Sequence, residues 1–70
     1  MKSFYVDCHL PQGSGAELSA EFDTFDETLA WIDDRLRENP RRIPRLLSRV
    51  RVTAKMARLL ADKGVILRRL

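Results

Sequence analysis

From Phe4 to Leu10 the chain alternates, with Phe4, Val6, Cys8 and Leu10 set against Tyr5, Asp7 and His9. Period two places the first set on one face of a strand and the second on the other. A run of turn formers follows, Pro11-Gln12-Gly13-Ser14-Gly15. The alternation then resumes, with Leu18, Ala20 and Phe22 against Glu17, Ser19 and Glu21. Two such runs around a turn predict a β-hairpin with one apolar face.

At Thr24 the period changes. Thr24-Phe25-Asp26-Glu27 is a capping box, in which the Thr24 hydroxyl accepts from the Glu27 N–H and the Glu27 carboxylate reaches back to the Thr24 N–H. Acids in a first turn also suit the helix dipole. Phe25, Leu29, Ile32 and Leu36 recur at helical spacing and form one stripe, with Trp31 off it. Asn39-Pro40 ends this helix, because a residue before proline avoids the helical region.

Residues 40–43 read as a short basic connector, and Pro44 suits the first position of a second helix. Ile43, Leu47, Val50, Ala54, Ala57 and Ala61 recur at spacings of four and three, which supports one helix over 44–63. The other reading breaks it near Val50-Arg51-Val52, where two β-branched residues precede Thr53, a good N-cap. Gly64 is a natural residue just past a helix end, and Val65-Ile66-Leu67 suggests a third strand. The expected fold class is therefore α+β, a small single domain over 1–70 in the order ββααβ, or ββαααβ with the break. The expected core is Phe4, Val6, Leu10, Leu18, Phe22, Leu29, Ile32, Leu36, Leu47, Val50, Leu60, Val65 and Leu67, with Cys8 as a small core residue. One sheet face is left open to water or to a second subunit.

Seventy residues allow one small core, since a chain of this length buries only roughly 60% of its unfolded surface. The single cysteine, Cys8, forms no internal disulfide, and Cys8 with His9 falls short of the about four ligands of a structural zinc site. A small domain without such staples favours a dimer or a stabilising partner. Met1-Lys2 is followed by no apolar run of a signal peptide, and no stretch approaches the roughly 20 apolar residues of a membrane span. These features lead to the expectation of a cytoplasmic protein without a membrane association. The first forty residues resemble, in architecture, the small bacterial and phage ββα modules in which a hairpin runs into a capped helix; the resemblance identifies no family.

Charge changes the picture most. Residues 1–39 carry nine carboxylates against three basic side chains, a net −6, whereas residues 40–70 carry ten Lys/Arg against Asp62 alone, a net +9. The overall +3 conceals this division. A basic segment of this kind suits a polyanion or an acidic protein surface. On a helix, Arg42, Arg45 and Arg49 share a face, and Lys55 and Arg58 lie one turn apart. With Arg41, Arg51, Arg68 and Arg69 they make up the candidate binding set. The plainer reading is a solvated face neutralised by Glu17, Glu21, Asp33, Asp34 and Glu38. A helix-turn-helix is a further reading, with Ile43 to Val50 as first helix, Thr53 to Lys63 as recognition helix and Val65–Leu70 opening a wing. It lacks the small or glycine turn residue expected between its helices.

No constellation reaches a catalytic signature, so the expectation is a non-enzymatic protein without cofactor, metal or small-molecule substrate. Cys8 and His9 are adjacent and diverge on a strand, so they form no nucleophile–base pair, and His9 reads as an exposed strand residue. Asp33-Asp34 diverge on a helix and read, with Glu38, as an acidic outer face. Gly13-Ser14-Gly15 sits in a hairpin turn, which is the wrong context for a nucleotide-binding loop. Trp31 reads as the edge of the core, and Tyr5 faces away from the apolar strand face, where it could stack on a base or meet a protein. The function expected first is a small nucleic-acid-associated regulator from a phage or mobile element. The alternative is a protein–protein inhibitor or adaptor that docks on a larger bacterial complex. A homodimer joining acidic and basic halves is a third possibility.

Overall fold

The first alternating run forms β1 (Phe4–His9) and the second forms β2 (Leu18–Phe22) in a computed structural model of the chain. The structure describes residues 2–11 and 18–69, with Arg69 described for its backbone alone. The expected turn therefore lies, apart from Pro11, outside the described residues. The two strands pair antiparallel with Phe4 opposite Phe22, Val6 opposite Ala20 and Cys8 opposite Leu18. This register puts the apolar residues of both strands on one face, as the alternation requires.

The capped segment forms α1 (Phe25–Glu38), with Thr24 as an extended N-cap. The Thr24 hydroxyl oxygen accepts from the Glu27 N–H at 3.2 Å and donates to the Glu27 carboxylate at 2.7 Å. The second arm of the box thus runs through the hydroxyl and not through the Thr24 N–H. Asp26 and Glu27 in the first turn and Arg35 and Arg37 in the last suit the dipole. Thr28 is fully buried in this helix because its hydroxyl donates to the Thr24 carbonyl at 3.0 Å. At the far end the Asn39 N–H closes on the Arg35 carbonyl, and the Asn39 side-chain oxygen accepts from the Arg41 N–H at 3.0 Å.

Residues 43–48 are a strand and not a helix. They form β3 (Ile43–Ser48), in which Pro44, Leu46 and Ser48 are buried. The apolar pair that suggested a helix, Ile43 and Leu47, is four residues apart, and a spacing of four also satisfies period two. What decides between the two is the partner. β3 pairs antiparallel with β1 along its whole length, with Val6 opposite Leu46 and Tyr5 opposite Leu47. An isolated hairpin is marginal in water, and a third strand stabilises it. Pro44 lies outside the stretch of β3 that pairs with the next strand, so its missing N–H costs nothing on that side.

Ser48 ends β3, its hydroxyl donating to the Val50 carbonyl at 2.6 Å while accepting from the Val50 N–H at 3.1 Å. Thr53 then caps α2 (Ala54–Asp62) by accepting from the Met56 N–H at 3.2 Å, so a new helix starts at Thr53 as the alternative reading had it, whereas the helix that reading placed before the break is a strand. Gly64, at φ +72°, terminates α2. Its N–H bonds the Ala61 carbonyl at 3.0 Å and the Val65 N–H bonds the Leu60 carbonyl at 3.0 Å, the paired bonds of a Schellman motif. The chain then enters β4 (Ile66–Arg69), which lies parallel to β3. The element order is ββαβαβ, in place of the expected ββααβ, and with β3 a strand no helix-turn-helix is present in 43–63.

The four strands lie in the order β2-β1-β3-β4. Phe4, Val6, Leu46, Ile32 of α1 and Leu60 of α2 form one buried cluster, so both helices cover the same side of the sheet. Phe22, Phe25, Leu29, Leu36, Val65 and Leu67 pack against it, and the Phe4 and Phe25 rings meet at 5.8 Å. Leu10 and Leu18 are half-buried and not part of this cluster, and Leu47 and Val50 leave the expected core. Leu47 is half-buried on the opposite sheet face, and Val50 is 46% exposed. Leu46 takes their place, because the strand shifts the inward position by one residue. The other face of the sheet is covered by neither helix.

Candidate nucleic-acid interface

The uncovered sheet face is built from the outward positions of all four strands. Two rows cross it. Glu21, Tyr5, Leu47 and Arg68 form one, and Ser19, Asp7, Arg45 and Ile66 form the next. His9 and Ile43 make a shorter third row. Asp7 is only 9% exposed, and Arg45 holds it with Nε at 2.9 Å and Nη2 at 3.3 Å from its two oxygens. Tyr5, Asp7, Arg45, Leu46, Leu47 and Arg68 line a hollow of about 210 Å³ on this face.

The candidate arginines do not form one field. The expected helical face of Arg42, Arg45 and Arg49 is absent, because these residues occupy β3 and its two ends. Arg45 is committed to Asp7. Arg49 donates to the Lys2 carbonyl at 2.9 Å and lies 3.6 Å from Glu21. Arg42 is half-buried beside Cys8, with Nη1 buried and without a hydrogen-bond partner among the described residues. Arg41 is exposed in the α1–β3 connection. The Arg69 side chain lies outside the described residues.

The acids expected to neutralise this half do so in part. Asp33 accepts from Lys63 at 2.6 Å, tying α1 to the end of α2, and Glu21 serves Arg49. Asp34 and Glu38 instead pair with Arg37 and Arg35 of their own helix, at 3.1 and 2.9 Å. Glu17 lies outside the described residues. Among the described residues, Arg41, Arg51, Lys55, Arg58 and Arg68 have no carboxylate partner. Lys55 and Arg58 are one turn apart on the exposed side of α2, and Arg51 is exposed in the loop leading to it. No acid offsets the positive dipole in the first turn of α2. Arg68 stands apart from this group, on the open sheet face.

The remaining candidates find structural places. Cys8 is fully buried, and burial pushes its thiol above the ordinary range, against the lowering effect of the nearby Arg42. A protonated, enclosed thiol is a poor nucleophile. His9 is half-buried, where exposure was expected. Trp31 packs at the core edge under the Arg35 guanidinium, 5.4 Å from the ring centroid. Among the described residues, no group of three or more His, Cys, Asp or Glu side chains is placed to hold a metal ion, and no helix is long and apolar enough to cross a membrane. Sequence reasoning missed the hollow around Tyr5, whose only sequence signal is the polar parity of β1. Compared with protein-family models, curated proteins and solved structures, the chain matches none.

Proposed function

We propose that this protein is a non-enzymatic binder of nucleic acid, engaged through cations that its own carboxylates leave unneutralised. The observation that supports the reading is that Arg51, in the loop leading to α2, and Lys55 and Arg58, one turn apart on α2, are all exposed without a carboxylate partner among the described residues, and that the first turn of α2 carries no acid. Like charges at this spacing repel and gain from an anion nearby. Phosphates supply such anions, and their counterions are released on binding. Of the other candidates, Arg45 and Arg49 hold contacts within the fold and Arg42 is half-buried, so these three contribute little to this surface.

The test is a fluorescence-anisotropy titration of labelled oligonucleotides at rising salt. Three phosphate contacts give a slope of about −2 to −3 in log affinity against log salt. The triple variant Arg51→Ala, Lys55→Ala, Arg58→Ala is expected to flatten that slope and weaken binding. Absence of any complex at micromolar protein in low salt ends the proposal.

A second reading, docking on an acidic protein surface as an adaptor or inhibitor, has one observation in its favour. Val50 and Leu59, 46% and 37% exposed, flank the same cations. Apolar neighbours of this kind serve a protein contact better than a phosphate backbone. A purified complex that survives nuclease treatment and is lost on Leu59→Asp supports this second reading.

A further inference from the structure

The uncovered sheet face has features that the cations of α2 do not explain. Tyr5 stands on an inner strand of the sheet, half-buried, and its hydroxyl has no hydrogen-bond partner among the described residues. Beside it Leu47 continues the row, and Arg68 closes it at the sheet edge, exposed and without a carboxylate partner among the described residues. Ile66 of the neighbouring row is 50% exposed. The hollow beside Tyr5, Leu47 and Arg68, about 210 Å³, is far larger than the roughly 30 Å³ share of one water. Its wall carries no free negative charge at Asp7, because Arg45 grips both carboxylate oxygens.

We infer that this face is a stacking platform for unpaired bases, and that the nucleic acid bound is single-stranded. The inference rests on the nucleic-acid reading and narrows it. Tyr5 offers a ring on which a base stacks, Leu47 and Ile66 extend the apolar floor, and Arg68 meets a phosphate. Strands lie about 4.8 Å apart, so Arg68 stands roughly 10 Å from Tyr5 across the row, within reach of the backbone that carries a base held at the ring. A base inside a duplex presents only its edge, so stacking of this kind selects an unpaired strand. Charge complementarity favours a polyanion over a second copy of this chain, which carries a net charge of +3; Arg68 ends the row at β4, and Glu21, at its other end, lies 3.6 Å from Arg49.

Anisotropy at low salt compares a labelled oligothymidylate of about 15 nucleotides, the upper end of site sizes for small single-strand binders, with a duplex of equal length. The single strand is expected to bind the tighter. Tyr5→Ala is expected to weaken single-strand binding about tenfold, and Tyr5→Phe, which keeps the ring, to retain it. Arg68→Ala is expected to weaken binding and reduce the salt slope. Circular dichroism and melting confirm that each variant is folded, and Tyr5→Phe reports on the ring should Tyr5→Ala fail to fold. Equal affinity for the duplex, or an unchanged affinity in folded Tyr5→Ala, overturns the inference; a loss of binding in the α2 triple variant then leaves the broader reading standing. No binding of either probe overturns both. Light scattering that shows a dimer disrupted by Tyr5→Ala assigns the face to a second copy and overturns the inference.

Discussion

The Asp7 carboxylate lies opposite the Arg45 guanidinium in the β1–β3 ladder, joined by two hydrogen bonds across 38 positions of sequence. The pair fixes which residue of β3 faces inward. A slip of one position would send Arg45 toward the core and Leu46 to solvent. Asp7→Ala is expected to destabilise the fold by about 1–3 kcal/mol, less than for a fully enclosed pair because the Arg45 side chain is 28% exposed. Urea denaturation measures it, and Asp7→Ala with Arg45→Ala together are expected to cost less than the sum of the two.

Gly64 makes a separate prediction. A Cβ there meets nothing within 4 Å, so the penalty for a side chain is that of the backbone at φ +72°. Gly64→Ala is expected to cost about 1–2 kcal/mol, which lowers the melting temperature of a domain this size by roughly 4–16 °C. Gly64→Asn, which tolerates the left-handed region, is expected to fall between the two.

Much of this fold is legible in the sequence. Phe4 to Leu10 and Leu18 to Phe22 alternate without ambiguity, and Thr24 to Asn39 carries both its cap and its stop. These elements are specified by neighbours in the chain. β3 is not, because Ile43 and Leu47 satisfy both periods and Pro44 serves a helix start as well as a strand end. Its identity is settled by Asp7 and Val6, which lie far away in sequence. The candidate site divides in the same way. The cations themselves are visible in the sequence, whereas their neutralisation by Asp7, Glu21 and Asp33 depends on tertiary contacts.

The N-cap of α2 offers a direct check on the break near Val52. Thr53→Ala removes the acceptor for the Met56 N–H, at an expected cost of about 1 kcal/mol. A continuous helix through this position would gain from alanine. Thermal melting of Thr53→Ala and Thr53→Ser separates the two, with serine expected to stay near the parent.

Cys8 governs a pH response. Its folded thiol ionises above the ordinary value of 9.0, because burial disfavours the thiolate. The folded state therefore holds its proton after the unfolded chain has released it, and stability falls as pH rises through and beyond about 9. Denaturation midpoints between neutral and alkaline pH measure the fall, and Cys8→Ala is expected to lessen it. In the native protein the thiol is expected to react slowly with an aromatic disulfide reagent at neutral pH and fast once unfolded.

Placing both helices on one side of the sheet separates the protein's positive groups into two opposed territories. Lys55 and Arg58 look outward from α2, while Arg68 looks out from the bare strands behind it. β4, into which α2 leads, is the edge strand of the sheet. A stiff rod lying against either territory would miss the other, and only a supple ligand bent around that edge would touch both.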